Sequence, residues 1–233
     1  MHKVLFRKII NSSSLPSEGL VTFLNPYSYL VVRKDRVIDG FDVVFVDGIS
    51  MVLLLALFGI KVKRKSFDMT SVAFEFFGNC ASSPKRVALI GSTDSDILAF
   101  KNSISGNFPG VDFVYARNGF FVTEDDYLKC IFDTVSLNPD VVICGMGAQK
   151  QESFLMDLKN HGWNGLGITC GGFIHQTAAK GVSYYPHVLD KLNLRWLYRI
   201  FDEPKLIKRY FIYYPLAASL LFVDLLRFRF VSK

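Results

Sequence analysis

The feature that most constrains this chain is a series of short apolar runs, each ending in glycine or a polar turn. RVALIG (86–91), VDFVYAR (111–117), DVVICGMG (140–147) and LGITCGG (166–172) are rich in β-branched residues and lack clean apolar–polar alternation. Such strands are buried on both faces, which is the pattern of a parallel sheet. The segments between them read as helices over 94–105, over 123–136 with Thr123 as N-cap, and from the third run to about His161. The predicted fold is therefore α/β, a Rossmann-like parallel sheet with helices on both faces. LVTFLN (20–25) and DVVFVDG (42–48) add two probable strands. The second leads into a helix over 50–58, and a further helix is expected from near Asp68. In such sheets ligands bind beyond the carboxyl ends of the strands.

Half of the 233 residues are hydrophobic and 15% are aromatic, enough for a large core and against a disordered chain. Cys80, Cys130, Cys144 and Cys170 show neither CxxC spacing nor adjacent histidines. This suggests neither zinc nor a disulfide framework, and it suits a reducing cytoplasm. MHKVLFRKIINSSS has no stretch resembling a signal-peptide core. SMVLLLALFGI (50–60) is far below the ~20 residues a membrane span requires. FIYYPLAASLLFVDLL (211–226) is longer, but Pro215 and Asp224 argue against a span.

The net charge of +6 is concentrated at one end. From Arg195 onward there are eight bases and three acids in 39 residues, interleaved with Trp196, Tyr198, Tyr210, Phe211, Tyr213 and Tyr214. Residues 1–190 therefore read as an α/β core, and 191–233 as a basic, aromatic helical appendage. That composition suits an anionic membrane surface or a phosphorylated ligand. No nucleic-acid-binding motif accompanies it. The apolar tail also suits contact with a second copy of the chain.

Three strand ends carry glycine: Gly91-Ser92, Gly145-Met146-Gly147 and Gly171-Gly172. Glycine lets backbone N–H groups approach a ligand, and a following helix N-terminus favours an anion. Together they point to a nucleotide or diphosphate. Gln149 and Gln151 would stand at the rim, where a uracil, ribose or sugar hydroxyl needs donors and acceptors. Glu152, in the first helical turn, is a further candidate for substrate binding, with capping and dipole pairing as its ordinary alternative. Asp47, at the mouth of VVFVDG, suits a general base meeting a substrate hydroxyl. Its alternative is to cap the next helix. Thr22 and Asn25 end the neighbouring strand. Asp94-Ser95-Asp96 has the spacing of a metal-binding DxD, but acids at a helix start are favoured without metal. His175 and His187 have no nearby partners for a metal or a triad, and no GxSxG elbow is present.

Several segments resemble the WecG/TagA/CpsF family of bacterial glycosyltransferases, over nearly the whole chain. They are TFLNPYSYLVV, VDGISMVLLLALFG, RVALIGS, NGFF, PDVVICGMGAQKQE and NLRWLYRIFDEPKLIKRY. The resemblance implies an inverting transferase that needs no metal or other cofactor. Its donor would be a UDP-sugar (N-acetylmannosamine-like, a uronic acid or another hexose). Its acceptor would be a polyprenyl-diphosphate-linked saccharide at the inner membrane face, on the way to a cell-surface polysaccharide. It implies Asp47 as base, with Thr22, Asn25 and Gln151 in the site and Arg199, Lys205 and Arg209 as its basic part. Departures from the family pattern fall at Lys63 or Arg64, at Ser66 before Phe67-Asp68, at His175, at Tyr184-Tyr185 and at Arg195. They argue for a different donor rather than lost activity. A non-catalytic nucleotide-binding subunit of a polysaccharide assembly complex is the alternative. A dinucleotide-dependent dehydrogenase or epimerase would need GxGxxG, which GSTDSD lacks.

Overall fold

The computed structural model describes residues 2–182 and 195–231. Six strands form one parallel sheet: β1 (Gly19–Leu24), β2 (Val43–Val46), β3 (Lys85–Gly91), β4 (Val111–Arg117), β5 (Val141–Gly145) and β6 (Leu166–Thr169). Their order is β2-β1-β6-β5-β3-β4. Every pairing is parallel, so all six carboxyl ends lie along one edge.

The continuous apolar runs are explained by two cores, one on each face. Successive side chains of a strand point to opposite sides. Ala88 and Ile90 of β3, with Val142 and Cys144 of β5, enter one core. Val87, Leu89, Val141 and Ile143 enter the other. The first core is covered by α1 (His2–Asn11), α2 (Pro26–Val32), α3 (Ile49–Leu57), α6 (Glu124–Leu137) and α7 (Lys150–Asn160). The second lies under α4 (Val72–Asn79), α5 (Asp94–Asn107) and α8 (Phe173–Lys180). Thr123 caps α6 by accepting from Asp126 N–H, as predicted.

Three helices, α1, α2 and α8, are not among the predicted elements. Asn25 caps the helix PYSYLVV and Pro26 opens it. Proline at the first helical position lacks only an N–H that has no intrahelical partner there. The helix expected near Asp68 begins at Val72 instead. The Asp68 carboxylate accepts from Thr70 N–H at 2.9 Å, which holds that segment in a turn.

Beyond the core, α9 (Arg195–Asp202) leads through a 3₁₀ turn into a π-helical segment, Arg209–Tyr213, and then α10 (Tyr214–Val231). Pro215, read in the sequence as an argument against a span, does not break this helical segment. The Tyr214 N–H bonds back to the Arg209 carbonyl, so a wider turn precedes the proline ring. The continuous helix Arg209–Arg229 is long and apolar enough to cross a membrane by length and composition, and only 22% of its most apolar window is buried. One side of it joins the first core through Leu221 and Leu225.

Candidate active site

Beyond the carboxyl ends of β1, β2, β5 and β6 lies a polar cavity of about 360 Å³. Its floor is backbone. Gly147 and Gly171 have φ of +85° and +56°, and a Cβ built on either would meet only open space. Both turns border the cavity with open space where a side chain would stand. Gly145 also borders the cavity, but its missing side chain makes room for the Cys170 thiol. Gly91 lies outside the lining. A Cβ there would stand 2.4 Å from the Gly145 carbonyl oxygen, so this glycine serves strand-end packing. Ser92, at φ +51°, borders the cavity beside it.

The amide-rich stretch divides into two roles. Gln151 lines the cavity and accepts the Gly171 N–H at 3.1 Å. Gln149 turns away: at φ +73° its side chain donates to Asp35 at 3.1 Å, outside this lining. Glu152 is fully buried and works beneath the floor. It accepts Thr22 Oγ1–H at 2.9 Å, the Gln149 N–H at 2.7 Å and Gln151 Nε2–H at 3.1 Å. Thr169 in turn donates to Thr22 at 3.0 Å. Burial pushes the Glu152 carboxyl up, against the pull of these donors. Thr22 and Glu152 are thus structural supports of the glycine turns. Cys170 is held neutral, its thiol pushed up to about 12 by burial.

Asp47 follows β2, its N–H bonded to the Leu24 carbonyl. It does not cap α3: the N-cap is Gly48, and no side chain caps that end. The Asp47 carboxylate faces Arg64 Nη1 at 3.7 Å. Arg64 arrives because its backbone forms a parallel bridge to Val46, a contact the sequence reading missed. Asp68 also borders the cavity, held by Ser66 Oγ–H at 2.7 Å. The residues around Asp94-Ser95-Asp96 form helix-end contacts. Asn118 donates to Asp94 at 2.9 Å, and Asp96 takes Ser92 and the His175 ring. Burial tends to raise the Asp96 carboxyl, but these two neighbours outweigh it and hold it low. Among the described residues, no group of three His, Cys, Asp or Glu could hold a metal ion.

Residues of the C-terminal helical segments also border the cavity. Arg199 of α9 and Arg209 both line the polar cavity. Arg199 bonds Glu203 at 3.0 Å, while the Arg209 guanidinium lies 4.2 Å from the Tyr27 ring centroid. Tyr210 and Tyr214 lie close enough to Asp47 to feel its charge. Burial raises both phenols, and the Asp47 charge adds to it. The Lys205 and Arg195 side chains, and Tyr184 and Tyr185, lie outside the described residues.

Comparison with known proteins decides the family. The Glycosyl transferase WecG/TagA/CpsF family model matches residues 2–230. The chain belongs to this family. As a WecG/TagA/CpsF protein it is a glycosyltransferase, which sets aside the non-catalytic-subunit reading. It is 38% identical to a UDP-Gal:alpha-D-GlcNAc-diphosphoundecaprenol beta-1,4-galactosyltransferase of Shigella boydii, over 84% of this chain and 83% of the relative. It is 25% identical to an N-acetylglucosaminyldiphosphoundecaprenol N-acetyl-beta-D-mannosaminyltransferase of Bacillus subtilis (strain 168), over 82% and 74%. A Staphylococcus aureus (strain NCTC 8325 / PS 47) enzyme of that same name is 27% identical over 54% of this chain and 48% of its own.

Proposed function

We propose that this WecG/TagA/CpsF protein transfers a hexose from a UDP-sugar to a saccharide carried on a polyprenyl diphosphate, with inversion at the anomeric carbon. One observation carries the reading: Asp47, Arg199 and the two open glycine turns border a single cavity. The relatives' names add support, since they specify diphosphoundecaprenol-linked acceptors and β-linked products.

In this reading the UDP diphosphate lies on the Gly147 and Gly171 turns, with Arg199 and Arg209 over it. Asn25, Ser92 and Gln151 fix the sugar and nucleoside. Asp47 accepts the proton of the acceptor hydroxyl as its oxygen bonds to the anomeric carbon. The carbon–oxygen bond to UDP breaks, and UDP departs with the electron pair. Its developing charge is stabilised by the arginines. Lys205 extends the basic surface. His175 borders the donor cavity where the family pattern has aspartate, which favours a donor other than N-acetylmannosamine; UDP-galactose is the first candidate. The basic, aromatic end of the chain (191–233) rests on the inner face of the cell membrane and completes the site there.

The test is UDP release with GlcNAc-diphosphoundecaprenol across a panel of UDP-sugars, for wild type and Asp47→Asn, with and without EDTA. Acceptor-dependent turnover that survives EDTA and falls about 10²-fold or more in the variant supports the reading. Undiminished turnover in Asp47→Asn removes Asp47 as base. Absence of turnover with every donor overturns the reaction.

A further inference from the structure

A second cavity, of about 500 Å³, lies beside the polar one between α3 and α10. Its walls are apolar: Met51 and Leu54 from α3, Phe211 from the π-helical turn, and Ala217, Ala218 and Leu221 from α10. Its inner end is different. Asn25, Asp47, Asp68 and Arg199 line both cavities, and Arg64 stands at the same end. The two spaces therefore meet at the carboxylate proposed as the base.

The rim of the apolar cleft is also unusual. Leu53 and Leu57 on α3 are 59% and 78% exposed, and Phe211, Ile212, Leu216 and Phe222 on the opposite side range from 45% to 66%. Large exposed apolar patches mark contact with membrane or partner. Phe58 and Phe222 meet edge to face at 5.2 Å, joining the two helices into one surface.

Resting on the transferase reading above, we infer that this cleft seats the diphosphate-proximal isoprene units of the acceptor lipid. A polyprenyl diphosphate has an apolar chain, then a doubly charged group, then a sugar. The cleft offers matching surroundings: apolar walls, and at its inner end Arg64, 3.7 Å from Asp47, where the cleft meets the donor cavity. Its volume is that of an ordinary small-ligand site, so it holds only the first units. The remainder of the chain stays in the bilayer against the exposed rim. Exposed Leu53 and Leu57 give α3 a part in that contact equal to the appendage's.

The inference is tested with two GlcNAc-diphosphate acceptors, one esterified with undecaprenol and one with methanol, against wild type, Leu54→Trp and Ala218→Trp. Ala218 is exposed, so its replacement spares the core. The ratio of kcat/KM for the undecaprenyl over the methyl acceptor is expected to drop at least tenfold in both variants. In wild type, a diazirine placed near the diphosphate end of the prenyl chain is expected to label residues 49–57 and 211–221. An unchanged ratio in both variants, or labelling confined to other segments, overturns the cleft assignment while transfer to the methyl acceptor keeps the reaction. Absence of transfer to either acceptor overturns the reaction and the cleft together.

Discussion

Arg33, the C-cap of α2, and Asp224 on α10 meet at 2.7 Å, although 191 positions separate them in the chain. The contact is two-pronged, with Arg33 Nε also 3.1 Å from Asp224 Oδ2. Tyr29 Oη donates to the same carboxylate at 2.5 Å. Burial and this carboxylate together push the Tyr29 phenol well above its ordinary range. Asp224 is fully buried, so this charge is matched inside the protein and fixes one side of α10 against the core. The wall of the apolar cleft is set by that clamp.

Removing one partner leaves a buried charge without its match. Asp224→Ala or Arg33→Ala is expected to cost about 3–5 kcal/mol in urea unfolding. Replacing both residues by methionine or leucine should cost less than either single change, because apolar groups leave no charge to satisfy. A double variant as unstable as the worse single one would show that the clamp acts through shape rather than charge.

Arg199 should not be replaceable by lysine. Its planar guanidinium bonds Glu203 and borders both cavities, and a lysine ammonium lacks that fork. Losing one charge-assisted hydrogen bond to the departing diphosphate costs roughly 1.5–3 kcal/mol. Steady-state kinetics of Arg199→Lys should then show kcat/KM lower by about 10- to 150-fold.

The two kinds of glycine should separate in a stability measurement. In Gly91→Ala the new methyl meets the Gly145 carbonyl, so overpacking of about 1–3 kcal/mol is expected. In Gly147→Ala there is space, and only the backbone conformation resists, at about 1 kcal/mol. The Gly147 variant should instead lose UDP affinity, which calorimetric titration with UDP reads directly.

Glu152 links stability to pH. Its folded-state carboxyl titrates above its unfolded value, so the folded chain holds the proton more tightly. That contribution is full below the unfolded value and is lost as pH rises through the folded one. Glu152→Gln removes this slope. It also turns an amide toward the Gln149 N–H, so the variant should be about 1–3 kcal/mol less stable at neutral pH. Urea midpoints measured from pH 4 to pH 8 check both expectations.

The local signals in the chain were sufficient for much of this molecule. All six strands stand where β-branched runs end at turns, and Thr123 caps α6 as its spacing implies. PYSYLVV has no predicted element, although Asn25-Pro26 is a helix start signal. Adjacent amides proved indistinguishable by type. Gln151 reaches the cavity and Gln149 does not, because a positive φ at Gln149 turns its side chain to Asp35.

What the sequence determined by itself is everything set by nearest neighbours along the chain: strands, most helices, glycine turns and the basic, aromatic end. What only the tertiary structure decided is which of those residues meet. Arg64 reaches Asp47 through a bridge to β2, and Tyr210 and Tyr214 come near it from more than 160 positions away. Asp224 looked like an obstacle to an apolar helix until Arg33 and Tyr29 were found around it. Contacts of this kind depend on how layers pack, and packing energy leaves no periodic trace in either partner's own stretch of sequence.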